Sequence, residues 1–325
     1  MARKVPRIIF WTSTIASALV GAYGMKAWTG GKSYAGKETL EGKVVIITGA
    51  NSGIGKETTL ALAKRKAKVI MACRNMNKCE TARREIVLAT KNKYVYCREC
   101  NLESQKSIRE FVDLFKKEES KLHILINNAG VMHCPKSYTQ EGIEMHMGVN
   151  YMGHFLLTNL LLDVLKASAP SRIINVASVA YKQGKINISD LNNTEKYDAR
   201  EAFAQSKLAL IMFTRELARK LTGTGVTVNA VHPGIAHTEI NRNLSFHNSY
   251  FSALFLKPLT WPFIKSAKQA AETIINLALN PDLNSTSGCY FSNGKLAEIT
   301  DEAKNDSLAK WLWLTSEKWT KLNSS

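Results

Sequence analysis

The sequence predicts an α/β fold, a single doubly wound parallel sheet with helices on both faces. Two observations carry this. Short apolar runs alternate with helical stretches along most of the chain. Strands that are apolar throughout, rather than at every second position, belong to parallel sheets buried on both sides. The first run is followed at once by a glycine-rich turn and a helix, which opens a βαβ unit. Ligands of such sheets sit beyond the carboxyl ends of the strands.

The elements follow in order. Val44–Thr48 reads as the first strand, with a helix after the glycine turn through Lys66. Lys68–Cys73 is the second strand, and Met76–Thr90 the helix after it. A third strand lies near 94–97, then a helix over 104–118, and a fourth strand at 123–127. A long helical stretch spans about 142–167, followed by a fifth strand at 172–177. A helix over 202–221 leads to the sixth strand at 226–231, and a last strand lies near 289–292. Residues 308–322, with Trp311, Trp313 and Trp319 among lysines, read as an amphipathic helix. The expected organisation is a basic, apolar N-terminal segment with hinge over 1–37, one α/β domain over 38–300 and the C-terminal helix over 301–325.

Composition narrows the function. The 325 residues carry 44 Lys+Arg against 27 Asp+Glu, a net charge of +17 spread without blocks. That suits anionic lipid or phosphate-bearing ligands rather than nucleic acid. The six cysteines form no disulfide framework and no paired zinc motif, so they read as buried thiols, and no metal site is expected. Residues 8–25 are 18 positions without charge, flanked by basic residues, near the lower limit for crossing a bilayer. A retained signal anchor is the preferred reading. A signal peptide cleaved after Ala16-Ser17-Ala18 and a mitochondrial presequence stay open. The chain is therefore expected at a membrane, held to lipid by its N-terminus, in the mitochondrion or the endoplasmic reticulum. Asn187, Asn192, Asn243 and Asn284 are glycosylation acceptors if the domain is lumenal.

The first turn reads Thr48-Gly49-Ala50-Asn51-Ser52-Gly53-Ile54-Gly55. Its glycines let backbone approach a pyrophosphate, and the helix that begins there points free N–H groups and its positive dipole end at that anion. Gly49, Ser52, Gly53, Ile54 and Gly55 are the expected contacts in this Rossmann-type unit. Arg74 ends the second strand, where an acid would bind the ribose 2′-hydroxyl of NAD and a guanidinium would pair with a 2′-phosphate. NADP(H) is preferred over NAD(H).

These residues, with Asn127-Asn128-Ala129-Gly130, Ser178, Lys207 and Pro233-Gly234 in that order, resemble the short-chain dehydrogenases/reductases over about 43–291. ACRN at 72–75, LINNAGVM at 125–132 and the run 150–178 are similar to the retinol dehydrogenase 11 to 14 group. The resemblance implies a membrane-anchored NADP(H)-dependent enzyme that interconverts an apolar, retinoid-like alcohol and aldehyde. It implies a catalytic set of Asn150, Ser178, a tyrosine and Lys207, the last two at i and i+4 on one helix face. It also implies cofactor contacts by Asn101, Asn128, Lys207, Pro233, Gly234 and Thr238. The sequence does not fix the oligomeric state; a homodimer is left open.

Two positions depart from the pattern. The family's aspartate before Leu102 is Asn101, whose amide oxygen still accepts a hydrogen bond. The tyrosine position holds Phe203, which has no proton to exchange. Tyr181-x-x-x-Lys185 matches the motif literally, but Gly184 argues against a helix, so Tyr181 is expected in the pocket wall, with a replacement proton donor as the lesser reading. Tyr197 is followed at i+4 by Glu201, not lysine. Residues 244–264 are rich in aromatics and suit a cover over an apolar substrate, a contact with the membrane surface or, equally, ordinary core packing. The leading function is a membrane-associated oxidoreductase whose activity is reduced by Phe203. The alternatives are a cofactor-binding pseudo-enzyme and, third, a lipid-binding adaptor.

Overall fold

The structure, a computed structural model, describes residues 34–236 and 264–322, with seven further positions between 17 and 26. The expected anchor (8–25), the aromatic stretch (244–264) and Thr238 fall largely or wholly outside them. Among the described residues no helix is long and apolar enough to cross a membrane.

The fold is Rossmann-type α/β. Eight strands form one sheet in the order β3-β2-β1-β4-β5-β6-β7-β8: β1 Val44–Thr48, β2 Lys68–Cys73, β3 Val95–Glu99, β4 Ile124–Asn127, β5 Ser171–Val176, β6 Val226–His232, β7 Tyr290–Ser292 and β8 Lys295–Ala297. All pairings are parallel except the β7–β8 hairpin. Chain order reverses between β1 and β4, so their carboxyl ends part and leave a crevice.

Successive strand residues point to opposite faces. Ile46 joins a core with helices α3 (Gln105–Glu118), α4 and α6 (Ala199–Lys220). Here α4 runs as Met145–Met147, a π-helical turn Gly148–Met152, and Gly153–Leu160, with α5 (Leu162–Ala167) after it. Val45 and Ile47 join the other core, under α1 (Gly53–Lys64), α2 (Met76–Thr90) and α7 (Ala267–Leu279). Capping sets the helix starts. Asn75, Ser104 and Asp198 accept backbone N–H groups at the starts of α2, α3 and α6, and Ser266 and Gln269 form a capping box on α7.

Several boundaries differ from expectation. The stretch 142–167 is not one helix. Gly142 takes a left-handed turn (φ 76°), and Glu144 caps the start at Met145 by accepting from the N–H groups of His146 and Met147. Helix α7 and strand β8 have no counterpart in the sequence reading. The reading of all cysteines as thiols is corrected at Cys79 and Cys97, which form a disulfide between α2 and β3. Cys73 and Cys100 are buried thiols, pushed up by desolvation to about 11 and about 12.

Helix α6 is buried nearly all round, which is what places Phe203 and Lys207 inside the molecule. Its outer side is covered by α9 (Asp306–Trp319), which follows a short α8 (Asp301–Lys304). Trp313 stacks on Phe213 at 5.8 Å and meets Phe155 edge-on at 5.0 Å. Tyr151 and Ser316 share a buried hydrogen bond of 2.7 Å. Removing a large core aromatic typically costs about 3–5 kcal/mol. Trp313→Ala should lower stability by that order, read as a lower urea midpoint with unchanged slope.

Candidate functional site

A cavity of about 550 Å³ opens at the carboxyl ends of the strands. It gathers most of the residues expected from sequence: Gly49, Ser52, Gly53, Ile54, Gly55, Arg74, Asn101, Asn128, Ser178, Phe203, Lys207, Pro233 and Gly234 line it. Asn150 stands behind this wall, fully buried.

The glycine turn is tightly built. Gly49 sits at φ 63°, a conformation that side chains disfavour. A Cβ on Gly55 would fall 2.3 Å from the Gly49 carbonyl and 2.6 Å from Asn128 Nδ2. Ser52 caps α1 by position, but its side chain makes no capping bond, and the first turn holds no acid. The N–H groups that other helices satisfy with side chains therefore remain for an anion at the cavity's edge. A dinucleotide pyrophosphate fits this cradle. The end of β1 is pinned to the end of β4. The Thr48 hydroxyl accepts N–H bonds from Asn128 and Ala129, both 2.9 Å, and Asn128 Nδ2 donates to the Thr48 carbonyl at 2.8 Å.

At the far rim Arg74 pairs with Glu103, which also lines the cavity. The Asn101 side-chain oxygen accepts the Glu103 N–H at 3.1 Å, leaving one lone pair for a ligand. Lys78 lines the same end.

At the other end, Ser178 Oγ accepts the Ala180 N–H at 3.3 Å and starts a 3₁₀ turn over Val179–Gln183. Lys207 Nζ donates to the Val176 carbonyl at 3.0 Å. Among the described residues no carboxylate pairs with it, and desolvation lowers its ammonium to about 8. Phe203 is 5% exposed, and Lys207 Nζ lies 5.8 Å from its ring centroid. Behind the ring stand His133 and His146, each edge-on at 6.1 Å. His146 is held by the buried Glu144 carboxylate at 2.7 Å.

Among the described residues no tyrosine lines the cavity. The expectation that Tyr181 forms part of the wall is corrected. The 3₁₀ turn carries it inward to 0% exposure against Tyr290, with its hydroxyl at 3.5 Å from the Glu298 carbonyl. Tyr197 donates to the Cys134 carbonyl at 2.5 Å.

Asn150 sits in the π-helical turn. Its amide oxygen accepts the Val131 N–H (2.8 Å), and its nitrogen donates to the Val131 carbonyl and to Ser206 Oγ (both 3.0 Å). Sequence reading missed Thr48 as an organising side chain, although it opens the glycine motif. It also missed the apolar rim, where Val179 and Ile235 are 43% and 65% exposed.

A family model described as short chain dehydrogenase matches residues 43–248. Retinol dehydrogenase 13 of Mus musculus is 48% identical over 313 residues, covering 96% of this chain and 94% of that protein. Retinol dehydrogenase 12 of Mus musculus is 51% identical over 277 residues, covering 85% and 86%. Among solved structures, an uncharacterized protein from Mycobacterium paratuberculosis superposes with a TM-score of 0.73 at 33% identity, over 90% of this chain and 98% of that one. The RhlG/NADP active-site complex of Pseudomonas aeruginosa shares the fold with a TM-score of 0.63 at 24% identity, over 78% and 95%.

Lys207 gives the site a pH signature. Its charged form, which predominates below about 8, is the better donor to a ligand hydroxyl. Affinity for a pyridine dinucleotide should therefore fall as pH rises through that value, by up to about tenfold between about pH 7 and 9. Fluorescence titration should show the trend in the natural chain and a flat profile in Lys207→Met.

Proposed function

Since the chain belongs to the short-chain dehydrogenase/reductase family of oxidoreductases and is related within it to the retinol dehydrogenases, we propose that it binds NADP(H) and acts on an apolar alcohol or aldehyde, with proton transfer impaired by Phe203. The observation that carries this is the gathering of glycine turn, Arg74, Ser178 and Lys207 around one cavity with an apolar rim. The amides that open α1 hold the pyrophosphate. Arg74, drawn from Glu103, holds a 2′-phosphate through a bidentate pair. Met132, Val179 and Ile235 receive the apolar part of the substrate. Retinoid-like chemistry is the class these surfaces suit. Attachment to a membrane through residues 8–25, in the mitochondrion or endoplasmic reticulum, belongs to the same reading.

The nicotinamide, when bound, donates or accepts the hydride. The protein's own share is narrower. Ser178 donates a hydrogen bond to the substrate oxygen, and Lys207 holds the nicotinamide ribose and contributes positive charge. Asn150 keeps the loop at Val131 and helix α6 in register, and its amide oxygen keeps one lone pair for a relay water. What the chain lacks is an acid at position 203. General acid–base groups contribute about 10²–10⁴-fold, so hydride transfer without that proton is slow. The second reading, a cofactor-binding pseudo-enzyme, is favoured by one observation: among the described residues no tyrosine lines the cavity.

One comparison tests both readings. The natural chain and Phe203→Tyr are titrated with NADPH and assayed side by side on a panel of apolar aldehydes, all-trans-retinal included. Equal NADPH affinity is expected, with turnover about 10²–10⁴-fold higher in Phe203→Tyr. Measurable turnover by the natural chain that Ser178→Ala removes supports the impaired enzyme. Activity confined to Phe203→Tyr supports the pseudo-enzyme. Robust turnover by the natural chain would discard the impairment, and no turnover by either protein would discard the substrate class. In the same titrations Arg74→Ala should weaken NADPH binding about tenfold, the order of one charge-assisted hydrogen bond, and leave NADH binding unchanged. An equal loss for both cofactors would count against the NADP(H) preference.

A further inference from the structure

His154 lies on α4, one helical turn beyond Asn150, and is 1% exposed. Its ring touches two parts of the site. Nε2 is 2.9 Å from the Thr48 hydroxyl, and Nδ1 is 3.2 Å from the Asn150 carbonyl oxygen.

The hydrogen positions follow from the partners. A carbonyl only accepts, so Nδ1 carries a proton toward Asn150. The Thr48 oxygen already accepts two N–H bonds, from Asn128 and Ala129, which occupy both lone pairs. Its single proton must go outward, and His154 Nε2 is nearer than the Ile126 carbonyl at 3.5 Å. Nε2 is then an acceptor and the imidazole is neutral, fixed in one tautomer from both ends. Electrostatics agrees: desolvation, with the Lys207 charge added, lowers the ring to about 3, against a smaller upward pull from the Asn150 carbonyl.

Leu157, three residues on and on the same side of the helix, shows what ordinary filling of this face looks like. A polar ring buried here is tolerated because both nitrogens are bonded, and both bonds run to the site. One goes to the residue that pins the glycine turn to the end of β4, the other to the turn of helix that carries Asn150.

We propose that His154 is a positioning residue that ties the dinucleotide-binding turn to Asn150, so that ordering the turn and aligning Asn150 occur together. The proposal rests on the reading of the turn as a dinucleotide site.

Two substitutions separate the two bonds. His154→Asn places an amide nitrogen where Nδ1 stands, keeping the link to Asn150 and losing Thr48. His154→Gln places an amide oxygen toward the Nε2 position, keeping Thr48 and losing Asn150. The full-length chain carries each change, and NADPH affinity is measured with thermal stability and amide exchange at Asn128 and Ala129. His154→Asn should weaken NADPH binding about five- to tenfold and speed exchange at both amides. His154→Gln should stay within about twofold on both readouts and instead speed exchange of the Val131 amide, which Asn150 holds; an unchanged Val131 rate would remove Asn150 from the link. His154→Asn combined with Thr48→Val should bind no more weakly than Thr48→Val alone, since the lost bond is shared.

Equal behaviour of His154→Asn and His154→Gln, or losses that merely track melting temperature, would overturn the proposal and leave a core filler. Additive losses in the double substitution would overturn it too. If the natural chain binds neither NADPH nor NADH, the dinucleotide reading fails. The exchange rates at Asn128 and Ala129 then still decide whether His154 holds the turn.

Discussion

The hydroxyl of Thr48 is the junction on which the site depends. Strands β1 and β4 are neighbours, but the chain leaves them toward opposite faces of the sheet. Their ends have no further ladder bonds to make, and the crevice between them exists because they part. A single oxygen that accepts the Asn128 and Ala129 amides fixes how far they part. The glycine turn and the Asn-Asn-Ala-Gly loop are thereby held as two lips of one opening. Asn127 extends the lacing, donating to Thr158 on α4 and to Asn175 on β5. Asn175 passes it on to Thr214 on α6. Each of these side-chain amides donates to a different element, which defines one arrangement of sheet and helices more narrowly than apolar packing does.

Charge is distributed along the same crevice. At the end lined by Arg74 and Lys78 the cations are partly exposed and Arg74 is paired with Glu103. At the other end Lys207 is 4% exposed and has carbonyl oxygen rather than carboxylate for company. An unpaired buried ammonium is costly, and that cost is what lowers its proton affinity. The phenylalanine beside it keeps the surroundings apolar. A phenol at this position would bring a hydroxyl within the field of the ammonium; the benzyl ring brings only the weak attraction of its face.

Much of this was legible in the sequence because the signals were local. Continuous apolar strands named the parallel sheet, and the spacing of Phe203 to Lys207 put both on one helix face. The tight turn that opens α1 followed from glycines between a strand and a helix. What escaped depended on contacts between distant segments. Cys79 and Cys97 lie 18 residues apart, and only the packing of α2 on β3 brings them together. Tyr181 stands three residues past Ser178 and was expected to share its cavity, yet one tight turn sends it into the core. His154 looks like one more residue in a buried helix until Thr48, over a hundred positions earlier in the chain, is found against it. The short strand β8 has too few residues to show a period.

The covering of α6 by α9 has a consequence for how the molecule is made. Ribosomes release a chain from its N-terminal end, and segments pack as they emerge. The helix that carries Lys207 therefore appears well before the tryptophan-rich helix that backs it. Until then Phe155 and Phe213 lack their partner Trp313. Closing contacts also come late: Gln105 donates to the Trp319 carbonyl and Arg109 to that of Thr320. The interior of the nascent protein thus stays open on one side until this late-emerging helix arrives, an interval in which apolar surface is available to chaperones.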